Sequence, residues 1–303
     1  MTLPNFLIIG AAKSGTTALD AYLRQHPDIF MSTPKELRFF SYSGPYPPDL
    51  PEVYTHRGVT TFEEYQTYFE GTEGYKIIGE ASPMYLYYPW SAERIKQTLS
   101  NDVKLLAILR NPVDRAFSSY THAMRDWIEP AQSFEEALSK EQERIDAGWG
   151  ILWHYTKAGF YFEQLSRYYQ IFRPEQIKAV LYDDLVADPH KLIHDIFTFL
   201  EVDPTFQPDL SSRPNVSGFP KNPAFHEWMR RLFMEDNPIK RISRKIFPKS
   251  FRQKVMVDLR EKNLEKRVMP EEIRRQLHDL FAEDTKQLEK LLDRDLSKWL
   301  GYT

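Results

Sequence analysis

The stretch from Phe6 to Leu19, FLIIGAAKSGTTAL, constrains the fold more than any other part of the chain. Phe6 to Ile9 are apolar without interruption, which predicts a strand buried on both faces of a sheet. Gly10 to Gly15 are small apart from Lys13. From Thr16 onward, Ala18, Leu19, Tyr22 and Leu23 recur at helical spacing. A strand, a tight loop and a helix start make a cradle for an anion. The first helical turn has free N–H groups and the positive end of the dipole. Gly10 and Gly15 let the backbone approach a phosphate.

The chain has 303 residues, 42% hydrophobic and 27% charged, enough for one large α/β domain. A net charge of −3 offers no global basic field for nucleic acid. Cysteine is absent, so neither a disulfide framework nor a thiolate metal site can form. No apolar run reaches the roughly 18 residues a membrane span needs. The first strand starts at Phe6, which leaves no room for a signal peptide and predicts a cytoplasmic enzyme.

The rest of the chain alternates strands and helices. Ile29 to Met31, Lys76 to Glu80, Val103 to Leu109 and Ile177 to Tyr182 read as strands. Thr61 to Phe69, Ala92 to Leu99, Val113 to Met124, Phe160 to Phe172 and Asp188 to Leu200 read as helices. Pro112 suits a helix start, and Ser133 with Glu136 forms a capping-box pattern. This order predicts a three-layer α/β fold around a central parallel sheet. From Ala224 the texture becomes charged and helical, giving a core of about 1–221 and a helical segment of about 222–303 within a single domain. Pro270 to Leu300 reads as one helix with apolar residues at Ile273, Leu277, Leu280, Phe281, Leu288 and Leu291. A basic patch, Lys240, Arg241, Arg244, Lys245 and Lys249, is either a solvated face or a groove for an acidic acceptor or carrier.

The first loop resembles a nucleotide P-loop with one departure. Gly10 and Gly15 keep the spacing of G-x-x-x-x-G-K-[ST], yet Thr16 follows Gly15 and the lysine sits inside, at Lys13. K-S-G-T-T after a strand is similar to the phosphosulfate-binding loop of sulfotransferases that use 3′-phosphoadenylyl sulfate (PAPS). The segment from Arg110 to Tyr120, R-N-P-V-D-R-A-F-S-S-Y, resembles the 3′-phosphate motif of the same family. There Arg110 leaves a strand end and Ser118 lies two turns along the next helix. Ligands of open α/β sheets bind at such strand ends, and an arginine fork with a nearby hydroxyl clamps phosphate well.

The resemblance implies donor contacts from Lys13, Ser14, Gly15, Thr16, Thr17, Arg110 and Ser118. It also implies that Lys13 stabilises the leaving phosphate oxygen. K-E-L-R-F-F, from Lys35 to Phe40, looks like the E-x-x-F-F of heparan-sulfate-type sulfotransferases. By that likeness Glu36 takes the acceptor's proton. His122, four residues past Ser118 on the same helix face, is the alternative base. Glu80 also ends a strand near the cleft and could orient a lysine or the acceptor. Tyr182 either stacks on adenine or packs as a strand-end tyrosine. Arg213 and Lys221 stand where the family closes a late basic loop, although this chain lacks the usual K-G-R.

The implied reaction moves a sulfuryl group from PAPS to a hydroxyl and releases the desulfated nucleotide PAP. The acceptor is a small molecule, a glycan or a carrier-bound chain. Tyr42, Tyr46, Tyr54, Tyr65, Tyr85, Tyr87 and Tyr88 crowd the segments around the presumed acceptor mouth. A small-molecule P-loop kinase is the competing enzyme class. It would need an acidic residue for Mg²⁺ where this chain has Arg110. A sulfuryl group carries little charge, so no metal is expected. A silent nucleotide-binding module is the third reading, and the presence of Lys13, Arg110 and Ser118 speaks against it.

Overall fold

The computed structural model describes residues 2–41, 58–211, 219–233, 262–265 and 268–301, together with Met256 and Leu259. A five-stranded, wholly parallel sheet forms the centre. Its strands are β1 (Phe6–Gly10), β2 (Ile29–Met31), β3 (Ile77–Ala81), β4 (Lys104–Leu109) and β5 (Ile177–Leu181), in the spatial order β2-β3-β1-β4-β5. The chain leaves β1 toward one edge and later returns to its other side. The carboxyl ends of β3, β1 and β4 therefore meet at the switch point, where open α/β sheets bind ligands. Phe6 registers with Gly79 on one side and Lys104 on the other.

Both faces of the sheet are covered, as the unbroken apolar runs require. Leu7, Ile9, Leu105 and Ala107 face one core with Tyr85, Leu165 and Tyr168. Phe6, Ile8, Leu106 and Ile108 face the other, against α1 (Thr16–Leu23) and the helix Pro189–Leu200. α2 (Phe62–Thr67) is capped by Thr61, whose side chain accepts from Glu64 N–H. α3 (Ser91–Thr98) precedes β4. α4 (Pro112–Arg125) begins with proline in its first turn, and Asn111 accepts from Val113 N–H at 3.0 Å. α5 (Phe134–Ser139) is capped by Ser133, but Glu136 reaches back to Gln132 N–H rather than closing the box on Ser133.

Next come α6 (Glu141–Asp146), α7 (Tyr161–Ile171), α8 (Tyr182–Ala187), α9 (Pro189–Leu200) and α10 (Pro223–Phe233). A short antiparallel pair, β6 (Phe219–Pro220) with β7 (Leu264–Glu265), lies on α4 through Phe219 against Phe117 and Tyr120. The last long helix, α11 (Glu271–Leu292), stops earlier than its apolar repeat predicts. Asp293 turns left-handed at φ 48°, and a separate 3₁₀ turn follows at Ser297–Leu300. Ile273, Leu277 and Phe281 join the core around α4, while Leu288, Leu296 and Trp299 join the core under the sheet. Leu280, expected in that stripe, is 46% exposed because it falls beside it.

Candidate active site

The loop after β1 has the shape the sequence predicts. Ala11 N–H is fixed to Ile108 C=O at 2.8 Å, and Ser14 N–H closes a turn onto Ala11 C=O at 3.2 Å. Gly15 caps α1 with φ 101°, and a Cβ there would stand 3.1 Å from the Tyr182 ring. Only glycine meets both demands without strain. No side chain caps the first turn of α1, which leaves its N–H groups facing the cleft. Ser14 is fully buried, and its Oγ faces the buried Tyr161 hydroxyl without either closing a hydrogen bond.

Arg110, at the end of β4, reaches back over this loop. Its Nη1 lies 3.5 Å from Lys13 C=O, and its guanidinium stacks 4.9 Å from the Tyr182 ring centre. Lys13, Gly15, Arg110 and Tyr182 are thus one group drawn from β1, β4 and β5. Thr16 and Thr17 open α1, and Ser118 lies half-buried two turns along α4.

Lys13 sits among cations. Burial, then the charge of Arg125, pulls its ammonium down to about 7, with Arg110 adding to the effect and Asp126 and Glu36 opposing it. Arg125 donates to Asp126 at 2.9 Å and to His122 Nδ1 at 2.7 Å. A guanidinium only donates, so His122 Nδ1 is the acceptor. The ring proton therefore lies on Nε2, which faces Asp126 at 3.5 Å. Sequence reading passed over Arg125, although its i+7 spacing from Ser118 puts both on one helix face.

Glu36 occupies an unusual turn. Both Glu36 (φ 67°) and Arg38 (φ 63°) are left-handed, a conformation costing non-glycine residues about 1–3 kcal/mol each. The Glu36 carboxylate is clasped by Lys35 at 3.0 Å and Arg38 at 2.8 Å. Burial alone would raise its pKa, but the two cations overcome that and hold it at about 2.

Glu80 is fully buried and orients no lysine. It accepts from Tyr65 at 2.6 Å and from Ser82 and Tyr85 at 2.5 Å. Tyr65 and Tyr85 are therefore interior residues, not part of an acceptor mouth. Tyr87 contacts His154 at 2.7 Å, and Tyr88 stacks on Trp90. Lys221 is exposed, and its ammonium donates to Lys262 C=O at 3.2 Å, beside the β6–β7 pair. Arg213, Tyr42, Tyr46, Tyr54 and the basic patch at 240–249 lie outside the described residues.

The chain has known counterparts. A Sulfotransferase of Alicyclobacillus acidocaldarius is 35% identical in its solved structure, covers 99% of both chains and superposes with a TM-score of 0.74. The Membrane-associated sulfotransferase kil1 of Dictyostelium discoideum is 25% identical over 78% of this chain and 64% of its own length. Heparan sulfate glucosamine 3-O-sulfotransferase 3A1 of Mus musculus is 30% identical over 65% of this chain and 46% of its own length. The chain thus spans less than two thirds of either curated relative. The match to the family described as Sulfotransferase domain runs over residues 3–289, past the polar stretch near 221 and through most of α11. With a family match of that extent, this chain belongs to the sulfotransferase family.

Proposed function

We propose that the protein transfers a sulfuryl group from PAPS to a hydroxyl acceptor by in-line displacement and releases PAP. The observation that carries this reading is the crowding of Lys13, Arg110 and Arg125 around uncapped helix N–H groups. Such a site suits a polyanion. The fit is also steric, since the cradle exists because residue 15 has no Cβ.

In this reading Lys13, Ser14, Gly15, Thr16 and Thr17 hold the 5′-phosphosulfate, and Arg110 with Ser118 holds the 3′-phosphate. Tyr182 supports Arg110 and bounds the adenine side. Arg213 and Lys221 are the candidates for closing over the nucleotide. Lys13 stabilises the negative charge that develops on the bridging oxygen as the S–O bond breaks. Glu36 accepts the hydroxyl proton as the acceptor oxygen bonds to sulfur. His122 is the alternative base, and its unprotonated ring nitrogen would first have to release the Arg125 guanidinium that donates to it. It lines the acceptor side. The acceptor is a small molecule, a glycan or a carrier-bound hydroxyl.

No metal enters this scheme, and PAP without added metal should stabilise the protein against heat. At 100 times its Kd, PAP adds about 2.7 kcal/mol. A larger shift with ATP and Mg²⁺, and none with PAP, overturns the reading. Turnover of acceptor panels with radiolabelled donor then identifies the acceptor class. We also propose one domain across 1–303, with 222–303 as its helical part, and a cytoplasmic location. Limited proteolysis tests the first, and cell fractionation tests the second against the membrane association named for the Dictyostelium relative. Among the described residues, no helix is long and apolar enough to cross a membrane.

A further inference from the structure

The turn bearing Glu36 is held from behind by the end of β3. Glu36 N–H donates to Ala81 C=O at 3.0 Å, and Arg38 N–H donates to Ser82 Oγ at 2.9 Å. Ser82 has one hydroxyl proton, and that proton goes to Glu80. Its lone pair is thereby turned toward Arg38. Glu80 is further pinned by Tyr65 and Tyr85, which pack edge-on against Phe40 of the same turn. The path from Glu80 to the Glu36 carboxylate runs through Ser82, the Arg38 backbone and, along its side chain, the Arg38 guanidinium, with three hydrogen bonds of 2.5–2.9 Å.

We propose that Glu80, acting through Ser82, is a positioning residue that sets the left-handed turn aiming Glu36 at the acceptor hydroxyl. A carboxylate is suited to this task because it only accepts. It takes the hydroxyl protons of Tyr65, Ser82 and Tyr85 together and leaves Ser82 a single orientation. An amide at position 80 would bring two N–H donors into a site already filled with donors. The Ser82 hydroxyl would then turn away from Arg38 N–H, which is presented to Ser82 Oγ and to the Glu80 carboxylate behind it. The two left-handed residues of the turn persist only where the surroundings over-determine them.

This inference rests on the proposed role of Glu36, and the test separates the two. Ser82→Ala and Glu80→Gln are assayed for turnover at saturating donor, for PAP affinity, and in the Glu36→Gln background. Each single variant should lower kcat by about 10- to 100-fold, the scale of a displacement near 1 Å, with PAP affinity unchanged. In the Glu36→Gln background neither should cause a further loss, since residues acting as one unit are not additive. If Glu80→Gln fails to fold, Ser82→Ala carries the test, because it removes one small hydroxyl and leaves Glu80 its two tyrosines. Losses that multiply with that of Glu36→Gln, or normal turnover in Ser82→Ala beside an impaired Glu36→Gln, overturn this proposal alone. Wild-type turnover in Glu36→Gln takes away the base assignment and this proposal with it.

Discussion

The pKa values of Lys13 and Glu36 are both lowered, but burial acts on the two with opposite sign. At Lys13 burial comes first and Arg125 and Arg110 add to it, bringing the ammonium to about 7; at Glu36 burial pushes upward, and Lys35 and Arg38 overcome it and hold the carboxylate at about 2. The contrast with Glu80 completes the point. There burial raises the pKa, and the three hydroxyls that pull the other way carry no charge. A full positive charge within contact outweighs desolvation, and hydroxyl donors soften it. Lys35 and Arg38 thus keep the Glu36 carboxylate ionised, while Lys13, buried beside Arg125 and Arg110, holds its proton less tightly than an ordinary lysine.

The largest test of this contrast is removal of the carboxylate. Glu36→Gln keeps shape and reach but cannot take a proton, so turnover should fall about 10²- to 10⁴-fold. PAP affinity should stay near wild type by titration calorimetry. Removing a donor-side cation should do the reverse. Arg110→Ala should weaken PAP binding about 10- to 150-fold, the equivalent of one charge-assisted bond of roughly 1.5–3 kcal/mol. The rate of the saturated complex should change little, and an unaltered PAP Kd would remove Arg110 from the site.

A third test uses pH. Lys13 is charged below about 7 in the free protein, and a bound anion raises that value. PAP affinity should be flat below pH 7 and weaken above it, by up to about tenfold per pH unit until the bound-state value is reached. Glu36 is ionised at any pH above about 2, so any acid limb near pH 4–5 belongs to another group. Affinity that rises between pH 7 and 9 would refute the assignment of Lys13. The smallest effect is expected from His122→Ala, a modest rise in acceptor KM with kcat kept. A dead His122 variant beside an active Glu36→Gln would exchange the two roles.

Much of the proposed donor half was legible in the sequence, because it is local. Phe6–Ile9, Gly10, Lys13 and Gly15 lie in one short stretch, and the double burial of β1 and β4 shows as unbroken apolar runs. The acceptor half was legible only as residue names. Nothing in K-E-L-R-F-F signals two left-handed residues, since their support is 44 residues away at Ser82. Tyr65 and Tyr85 looked like mouth residues for the same reason, their partner Glu80 being distant from Tyr65 in sequence. α8 was missed because β5 runs straight into it. No glycine marks the junction, and Asp184 caps Leu181 N–H from inside the helix at 3.2 Å. Residues outside a local pattern, such as Arg125, were found only once α4 had been placed beside the first loop.

The strand order also has a consequence in time. β1 is made before every other strand of its sheet, yet it occupies the middle of that sheet, and its two neighbours begin at Ile77 and Lys104. Until the latter is made, Ala11 has no Ile108 carbonyl to bind and the loop has no Arg110 above it. A nascent chain therefore carries the sequence of the first loop long before it carries the proposed donor site. Long-range parallel pairing of this kind is slow to form and leaves apolar strands exposed meanwhile. The buried run at Phe6–Ile9 is one of the apolar segments such a delay leaves exposed.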